Sequence, residues 1–254
     1  ILSMDYADQL FLNVSGTQEA ASSVSGTYFY PSADLAWQFT KSLVPTNSIL
    51  SFGKLRLSYG KVGVQPAAYR FGTTYEQFAY STYDDALDIN EFGGGFRLND
   101  DQGNNSLKPE IKTEFEIGTD LRLLKDKITL GATYYKNTID DILLAINLAP
   151  SSGFLSKYAN AAKMENKGLE LDLGVKILDE KKYGLELYGN FNNNKNKVLS
   201  LGGVDRLAIT DQSITSNAIV GQPLGILFAS KALRQADGKL ALNDRGFPQL
   251  APVQ

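Results

Sequence analysis

The groups in this chain most able to do chemistry are carboxylates and aromatic rings, because two commoner reagents are missing. There is no His and no Cys in the sequence. That removes the usual general base, the Ser-His-Asp triad, thiolate zinc sites, iron–sulfur clusters and disulfides. Paired carboxylates remain. Glu114 and Glu116 lie two residues apart on an alternating stretch, which sets them about 7 Å apart on one strand face. A glycosidase could use such a separation. Asp140 and Asp141 are adjacent. Alternating charges on a wet strand face produce pairs like these routinely. They are read as solvated charge, and the chain is read as no enzyme.

The stretch 64–110 gathers the other candidates. Its acids are Asp84, Asp85, Asp88, Glu91, Asp100 and Asp101. Calcium favours clustered carboxylate and carbonyl oxygens, but this spacing fits no EF-hand loop, so no metal and no cofactor are expected. Gly93, Gly94 and Gly95 are not followed by the Lys-Ser/Thr of a phosphate-binding loop. They are expected in a flexible surface loop, with a moving lid over a substrate as the functional alternative. Tyr69, Phe71, Tyr75, Phe78, Tyr80 and Tyr83 crowd into "YRFGTTYEQFAYSTY". Flat rings beside polar groups stack on sugars or pack on peptides, so these six form the candidate ligand-contact loop. Self-packing of the loop, or a partner interface, would use the same residues.

The elements that must carry these groups are strands. In "ENKGLELDLGVKILDEKKYGLELYGNF" (165–191), Leu169, Leu171, Leu173, Val175 and Ile177, then Tyr183, Leu185, Leu187 and Phe191, fall on every second position. Glu170, Asp172, Lys176, Glu186 and Asn190 sit between them. A period of two gives each strand one oily and one wet face. The same pattern runs through 27–41, 53–62, 112–124 and 127–138, with shorter candidates at 6–14, 139–147, 207–212 and 224–233. Apolar residues make up 43% and charged residues 21%, which excludes a disordered chain. A net charge of -3 with mixed signs leaves no basic footprint for nucleic acid. No apolar run is long enough for a membrane-spanning helix. The opening residues lack the pattern of a secretory leader, and the chain is expected to be a fragment or a processed product.

Length separates these strands from ordinary ones. Several reach about 10–13 residues, against the usual 5–6, and a tilted transmembrane strand needs about 9–11. "LKD" (124–126) and "LDEKK" (178–182) are tight turns, whereas 64–110, 147–164 and 198–222 read as long polar loops. Short turns on one rim and long loops on the other is the outer-membrane barrel pattern. The connection 41–52 reads as a turn with a brief helical segment. Phe29 and Trp37 share a face eight residues apart, as do Tyr183 and Phe191. That is about 20 Å of height once the strand is tilted, a spacing suited to two aromatic girdles. The expected fold is all-β: a partial transmembrane antiparallel barrel over residues 1–254, with about ten strands, no strict internal repeat and no second globular domain. A soluble or surface-anchored β-sandwich that binds glycans would share the alternation, and so would a passive porin.

Several phrases are more specific. "YPSADLAWQFTKS" (30–42) resembles the "FPS-x-SLAW" strand of SusC/RagA-type TonB-dependent outer-membrane receptors. "KLRLSYGKVGVQP" (54–66) is similar to their "LKLRASYG-x-TGNQ" segment, and 104–143 to their "LKPE…T…E-x-G-x-D" hairpin and "YY…T-x-D-x-I" strand. "SSGFLSKYANAAKMENKGLELDLG" (151–174) and "IVGQPLGILFASKAL" (219–233) resemble "STG…N…NKG-x-E" and "VGQPLGSFYGY". Five such matches occur in the family's order. The resemblance implies a barrel of roughly 22 strands around a plug, placed in the cell outer membrane. It implies import of oligosaccharides, peptides or similar large nutrients, with a SusD-like lipoprotein on the extracellular side, TonB acting through a plug outside this chain, and membrane lipids around the wall. Departures are Val62 and Val64 in place of the Thr and Asn of "TGNQ", and a 13–30 loop without the Asp and Arg of "DGSSRFG". Substrate class is therefore not carried over from any one relative.

Overall fold

A computed structural model describes residues 1–43, 49–79, 81–82, 85–86, 88–180, 182–209 and 214–251. The chain divides into two compact units, Ile1–Lys195 and Asn196–Gln254.

In the first unit the strands are β1 (Leu2–Tyr6), β2 (Leu10–Ala20), β3 (Thr27–Trp37) and β4 (Leu50–Val64), with a helical turn α1 (Phe39–Ser42) between the last two. The long connection that follows holds β5 (Tyr75–Ala79), β6 (Ser81–Thr82), β7 (Asp85–Ala86), a second helical turn α2 (Ile89–Phe92), β8 (Gly94–Leu98) and β9 (Asp101–Gln102). Then come β10 (Glu110–Leu123), β11 (Ile128–Asn147), β12 (Ser156–Glu180) and β13 (Tyr183–Leu201), whose residues from Asn196 onward belong to the second unit. One antiparallel sheet runs in the order β1-β2-β3-β4-β10-β11-β12-β13, with β9 added in parallel to β12. Sequential strands are neighbours throughout, once the inserted connection between β4 and β10 is set aside. The sheet is thus an up-and-down meander, with short turns at 7–9 and 124–127 on one rim and the connections 21–26, 65–109 and 148–155 on the other; the connection 38–49, which holds α1, is the long member of the short-turn rim.

The register decides which side each residue takes. Met4, Leu12, Leu35, Leu57, Ile117, Tyr134 and Leu169 are cross-strand partners in one unbroken row. Directly paired residues share a face, so seven strands present an apolar side chain to the same side. The next row toward the short-turn rim is Tyr6, Leu10, Trp37, Leu55, Thr119, Ala132 and Leu171. Among the described residues nothing covers these rows: Leu57, Ile117, Tyr134 and Leu169 all remain exposed. A soluble sandwich would bury one such face against a second sheet. Here the buried apolar side chains among the described residues are few: Tyr30 on β3 and Ala162 on β12 in the sheet, Val24 and Leu107 in connections, and Val198, Leu201 and Ala218 in the second unit. No helix among the described residues is long and apolar enough to cross a membrane.

Several boundaries differ from the sequence expectation. The candidate strand 6–14 is instead the β1–β2 hairpin, turned at Ala7 and Asp8, both at φ 52°. The candidate strands 127–138 and 139–147 are one strand, β11, and the expected loop 147–164 shrinks to 148–155. The cause is a bulge: the pairing of β11 with β12 shifts on both sides of Ile142, and Asp141 sits at φ 59°. An inserted residue breaks the period of two while the ladder continues. The helical segment expected in 41–52 begins earlier, at Phe39, and residues 44–48 lie outside the described ones.

In the second unit, β14 (Arg206–Ala208), β15 (Ile214–Ile219) and β16 (Ile226–Ala229) form a small sheet; β15 falls within the expected loop 198–222, β14 overlaps the candidate strand 207–212, and β16 lies inside the candidate strand 224–233. Its centre is polar. Asn217 is fully buried, accepts from Arg206 Nε (2.9 Å) and donates to the Thr215 carbonyl (3.0 Å). Beyond it the chain repeats with a period of eight residues, an internal repeat that the sequence expectation did not include. Leu233 N–H donates to Gln249 O, Gln249 N–H to Ala241 O and Ala241 N–H to Leu233 O, a closed ring of bonds at positions eight apart. A second set of bonds joins Gln235 to Lys239, Asn243 to Phe247 and Ala251 to Lys231. Gly238 and Gly246 close the turns at φ 84° and 81°. The repeat escapes a search for long motifs because only "KALRQADG" and "KLALNDRG" resemble each other in sequence.

Candidate functional site

The wet side of the sheet is built from the residues between the apolar rows. Arg56, Gly118, Thr133 and Glu170 form one row, and Asp34, Ser58, Glu116, Tyr135 and Gly168 the next. Their charges are knitted across strands. Asp120 accepts from Arg56 (3.1 Å) and pairs with Lys54 Nζ (3.0 Å), and Arg56 also reaches Thr133 Oγ1 (3.3 Å). Gly118 lies beneath that guanidinium: a Cβ there would stand 3.1 Å from Arg56 Nη2. Glu114 accepts from Asn137 (2.9 Å) and pairs with Lys112 (2.7 Å), and Asn166 donates on to Asn137 (2.8 Å). Ser58 Oγ donates to Glu116 (3.4 Å). The suspected carboxylate pair Glu114/Glu116 is thus occupied with polar partners from its own wall. Toward the short-turn rim, Lys54, Asp120, Arg122, Asp172, Tyr188 and Asn190 line an open groove of about 820 Å³.

The connection between β4 and β10 folds back on the tall β11–β12 hairpin. Arg70 is its pivot. The guanidinium pairs with Asp101 and lies 4.2 Å over the ring of Tyr158. Ser156 donates to the same Asp101 carboxylate. The hydrogen bond from Ser156, joined by that from Arg70, holds the Asp101 carboxyl below the usual carboxylate range against the effect of burial. Asn104 donates from its side chain to Tyr158 O (2.8 Å) and from its backbone N–H to Arg70 O (3.0 Å). Leu107 is almost fully buried, as is Pro109. Asn160 donates to Lys108 O and Asp141 O (both 2.8 Å) and accepts from Lys108 N–H (2.9 Å), while Glu110 accepts from Leu143 N–H (2.8 Å).

The candidate ligand loop is only partly gathered. Tyr69 is exposed, takes φ 65°, and lines a pocket of about 310 Å³ with Arg70, Asn99, Asp101 and Gln102. Tyr75 is exposed on the β5–β8 hairpin. Phe71 is half-buried and does not line that pocket. Phe78 lies over Gly95, where a Cβ would meet its ring at 2.9 Å, so it packs within the hairpin. Tyr80 and Tyr83 lie outside the described residues, as does Asp84. Gly94 and Gly95 begin β8, paired with β5, rather than a free lid. Asp88 caps α2 by accepting from Asn90 N–H (2.8 Å), and Asp100 lies 3.7 Å from Arg97. No metal-holding cluster occurs among the described residues. Sequence reading missed Phe96 and Leu98, which are exposed on the same hairpin as Tyr75. Their alternation with Arg97 was the available signal.

The family model of the TonB dependent receptor-like beta-barrel matches residues 2–226. The chain belongs to the TonB-dependent receptor family. Its relatives include the TonB-dependent receptor P3 of Formosa agariphila, 28% identical over 81% of this chain and 20% of that protein. TonB-dependent receptor SusC of Bacteroides thetaiotaomicron is 26% identical over 69% of this chain and 18% of that protein. The chain thus spans about a fifth of these relatives' length. Among solved structures, the RagAB peptide transporter superposes with a TM-score of 0.78 at 18% identity, covering 98% of this chain and 28% of that one. This likeness is one of fold. The expected all-β class is the observed one, and the sheet is part of a TonB-dependent barrel, unclosed in this chain. Members of the family are transporters and receptors of the outer membrane, not enzymes.

Proposed function

We propose that this chain is part of the wall of an energy-coupled importer in the outer membrane. Residues 1–254 are one stretch of its barrel domain, crossing the membrane several times. The observation that carries the reading is the two-sided sheet: uncovered apolar rows over seven strands on one side and a cross-linked polar network on the other. In a barrel, the first faces lipid and the second a hydrated or plugged lumen. The long-connection rim then faces the cell exterior. There Tyr69 and Tyr75, with Phe96 and Leu98, are exposed for contact with an oligosaccharide or peptide. A SusD-like lipoprotein would cover this rim, and TonB would act through the plug. Kinship with the TonB-dependent receptor SusC supports the energy-coupled reading, and the likeness to the RagAB peptide transporter is one of fold, so peptide and oligosaccharide cargo are both carried into the test. The wall itself contributes shape and polarity, not reaction steps.

Uptake of fluorescent oligosaccharides and peptides by cells carrying the full-length receptor tests the proposal. Uptake of one class should require both the receptor and the proton gradient, and should stop on adding a protonophore. Receptor-dependent uptake that persists without the gradient would make the protein a passive porin.

A further inference from the structure

Arg56, Arg70 and Arg97 each stand against a carboxylate: Asp120, Asp101 and Glu76 in turn. Arg206, on β14 of the second unit, is held another way. Among the described residues no carboxylate lies within ion-pair distance of it. Register puts Arg206 on the face of Ile219, and so of Asn217 and Thr215 and, on β16, of Ile226 and Phe228. Its side chain reaches across β15: Nε donates to Asn217 Oδ1 (2.9 Å), and the guanidinium lies 4.2 Å from the centre of the Phe228 ring. Asn217 is fully buried and its amide has one orientation. Nδ2 donates to Thr215 O (3.0 Å) and to Thr215 Oγ1 (3.1 Å), which leaves Oδ1 for Arg206. Arg122 also lies over a ring, that of Phe52 at 5.0 Å, but among the described residues no side-chain acceptor orients it.

A guanidinium carries five N–H donors in one plane. Asn217 takes the one on Nε, and no acceptor among the described residues takes those on Nη1 and Nη2. Arg206 and Phe228 are both exposed, so this end of the fork is open to solvent. We propose that Arg206, fixed by Asn217 and Phe228, receives a carboxylate end-on, with one carboxylate oxygen on Nη1 and the other on Nη2. The flat fork matches the flat anion in a way that a lone ammonium cannot. Because the side chain is already anchored at Nε and over the ring, little of its freedom is left to lose on binding. Uronic sugars and acidic peptides both carry the group. The inference goes beyond the importer reading and does not depend on it, since it needs only the small sheet of the second unit.

Titration calorimetry of the purified full-length receptor tests this with two pairs of probes. One is trigalacturonate against its methyl ester, the other triglutamate against triglutamine, both peptides amidated. In one pair the acid should bind about a hundredfold tighter than its neutral form, the size of a two-pronged charged hydrogen bond. Which pair shows it names the source of the carboxylate. Arg206→Gln should erase the preference. Arg206→Lys, which keeps the charge and loses the fork, should weaken binding of the acid about tenfold. Phe228→Leu, which leaves the arginine without its ring, should weaken it about threefold. Lys231→Gln should change nothing. Equal affinity for acid and neutral forms in both pairs overturns the site, as does a preference that survives Arg206→Gln. Undiminished binding by Arg206→Lys overturns it too, since charge alone would then suffice, and so does displacement of the acid by an equal concentration of inorganic sulfate. If Arg206→Gln does not fold, Arg206→Lys and Phe228→Leu decide.

Discussion

Leu57→Arg and Ser58→Arg are adjacent substitutions with opposite expected consequences. Leu57 sits mid-sheet in the apolar row, flanked by Leu35 and Ile117. On β10 the apolar residues of that face run from Ile111 to Leu123, so Ile117 and its partner Leu57 lie near the middle of the band. An arginine on the lipid face of a barrel costs about 2–4 kcal/mol at the bilayer midplane. That is about a 30- to 900-fold fall in the folded-to-unfolded ratio. Ser58 points to the other side, where a new guanidinium would meet Glu116, now only a 3.4 Å partner of the hydroxyl. Its cost should stay within about 0.5 kcal/mol, as for a solvated surface change. The assay is urea unfolding of the full-length receptor in lipid vesicles, read as the shift in midpoint at constant slope. A Ser58→Arg penalty equal to or above that of Leu57→Arg would refute the assignment of faces, and with it the membrane reading.

Two further outcomes follow from the outer connection. Asp101 has its carboxyl held low by Ser156 and Arg70. The stabilisation it gives is therefore whole above the ordinary aspartate value of about 3.9 and is lost as pH falls through the lower folded value. Proteolysis of the 65–109 connection should rise on acidification through that range in the unaltered receptor, and Asp101→Asn should show the high rate at neutral pH with no pH step. Asn160→Ala removes three hydrogen bonds that tie Lys108 and Asp141 together. At about 1 kcal/mol each, the outer end of the β11–β12 hairpin should lose roughly 2–3 kcal/mol of hydrogen-exchange protection while the rows around Leu57 keep theirs.

The sheet was legible because its signal is periodic and local. Each strand's alternation is dictated by one apolar and one polar environment, so Leu169 to Ile177 could be assigned to a face with no knowledge of neighbours. What was not legible depends on pairing. The bulge at Asp141 interrupts the period without ending the strand, and only the register with β12 shows that β11 continues. The hairpin at Ala7 and Asp8 carries no glycine to announce it. In the connection, a cluster of aromatics was visible, but their fates diverge according to hairpin register: Tyr75 is paired with Leu98 and stays exposed, and Phe78 turns onto Gly95. Arg70, which pins the connection through Asp101 and Tyr158, gave no local signal at all. Its partners lie 31 and 88 residues away in sequence.

The residues that carried the family resemblance turn out to build the frame. Leu107 is buried, Glu110 holds the Leu143 N–H beside the bulge, and Asn160 clamps Lys108 to Asp141. Gly168 leaves room for the ring of Tyr135, whose hydroxyl would stand 2.5 Å from any Cβ placed there. In the second unit, Val198 exchanges backbone bonds with Gly221 and Gln222, and Asn196 accepts from Leu224 N–H (2.7 Å). At Gly168 and Asn160 the close approach of Tyr135 and the three hydrogen bonds narrow the choice of side chain, which fits motifs that stay recognisable at low overall identity. Tyr69, Tyr75, Phe96 and Leu98 are under no such demand, since their side chains are exposed and the backbone beneath them is held by others. Exchanging these four for the residues of another receptor should therefore leave the frame standing. On the proposed reading, contact with the cargo falls to the exposed surface that the frame holds up, and the frame itself needs only the pins at Arg70, Asp101 and Asn104 from the stretch 65–106.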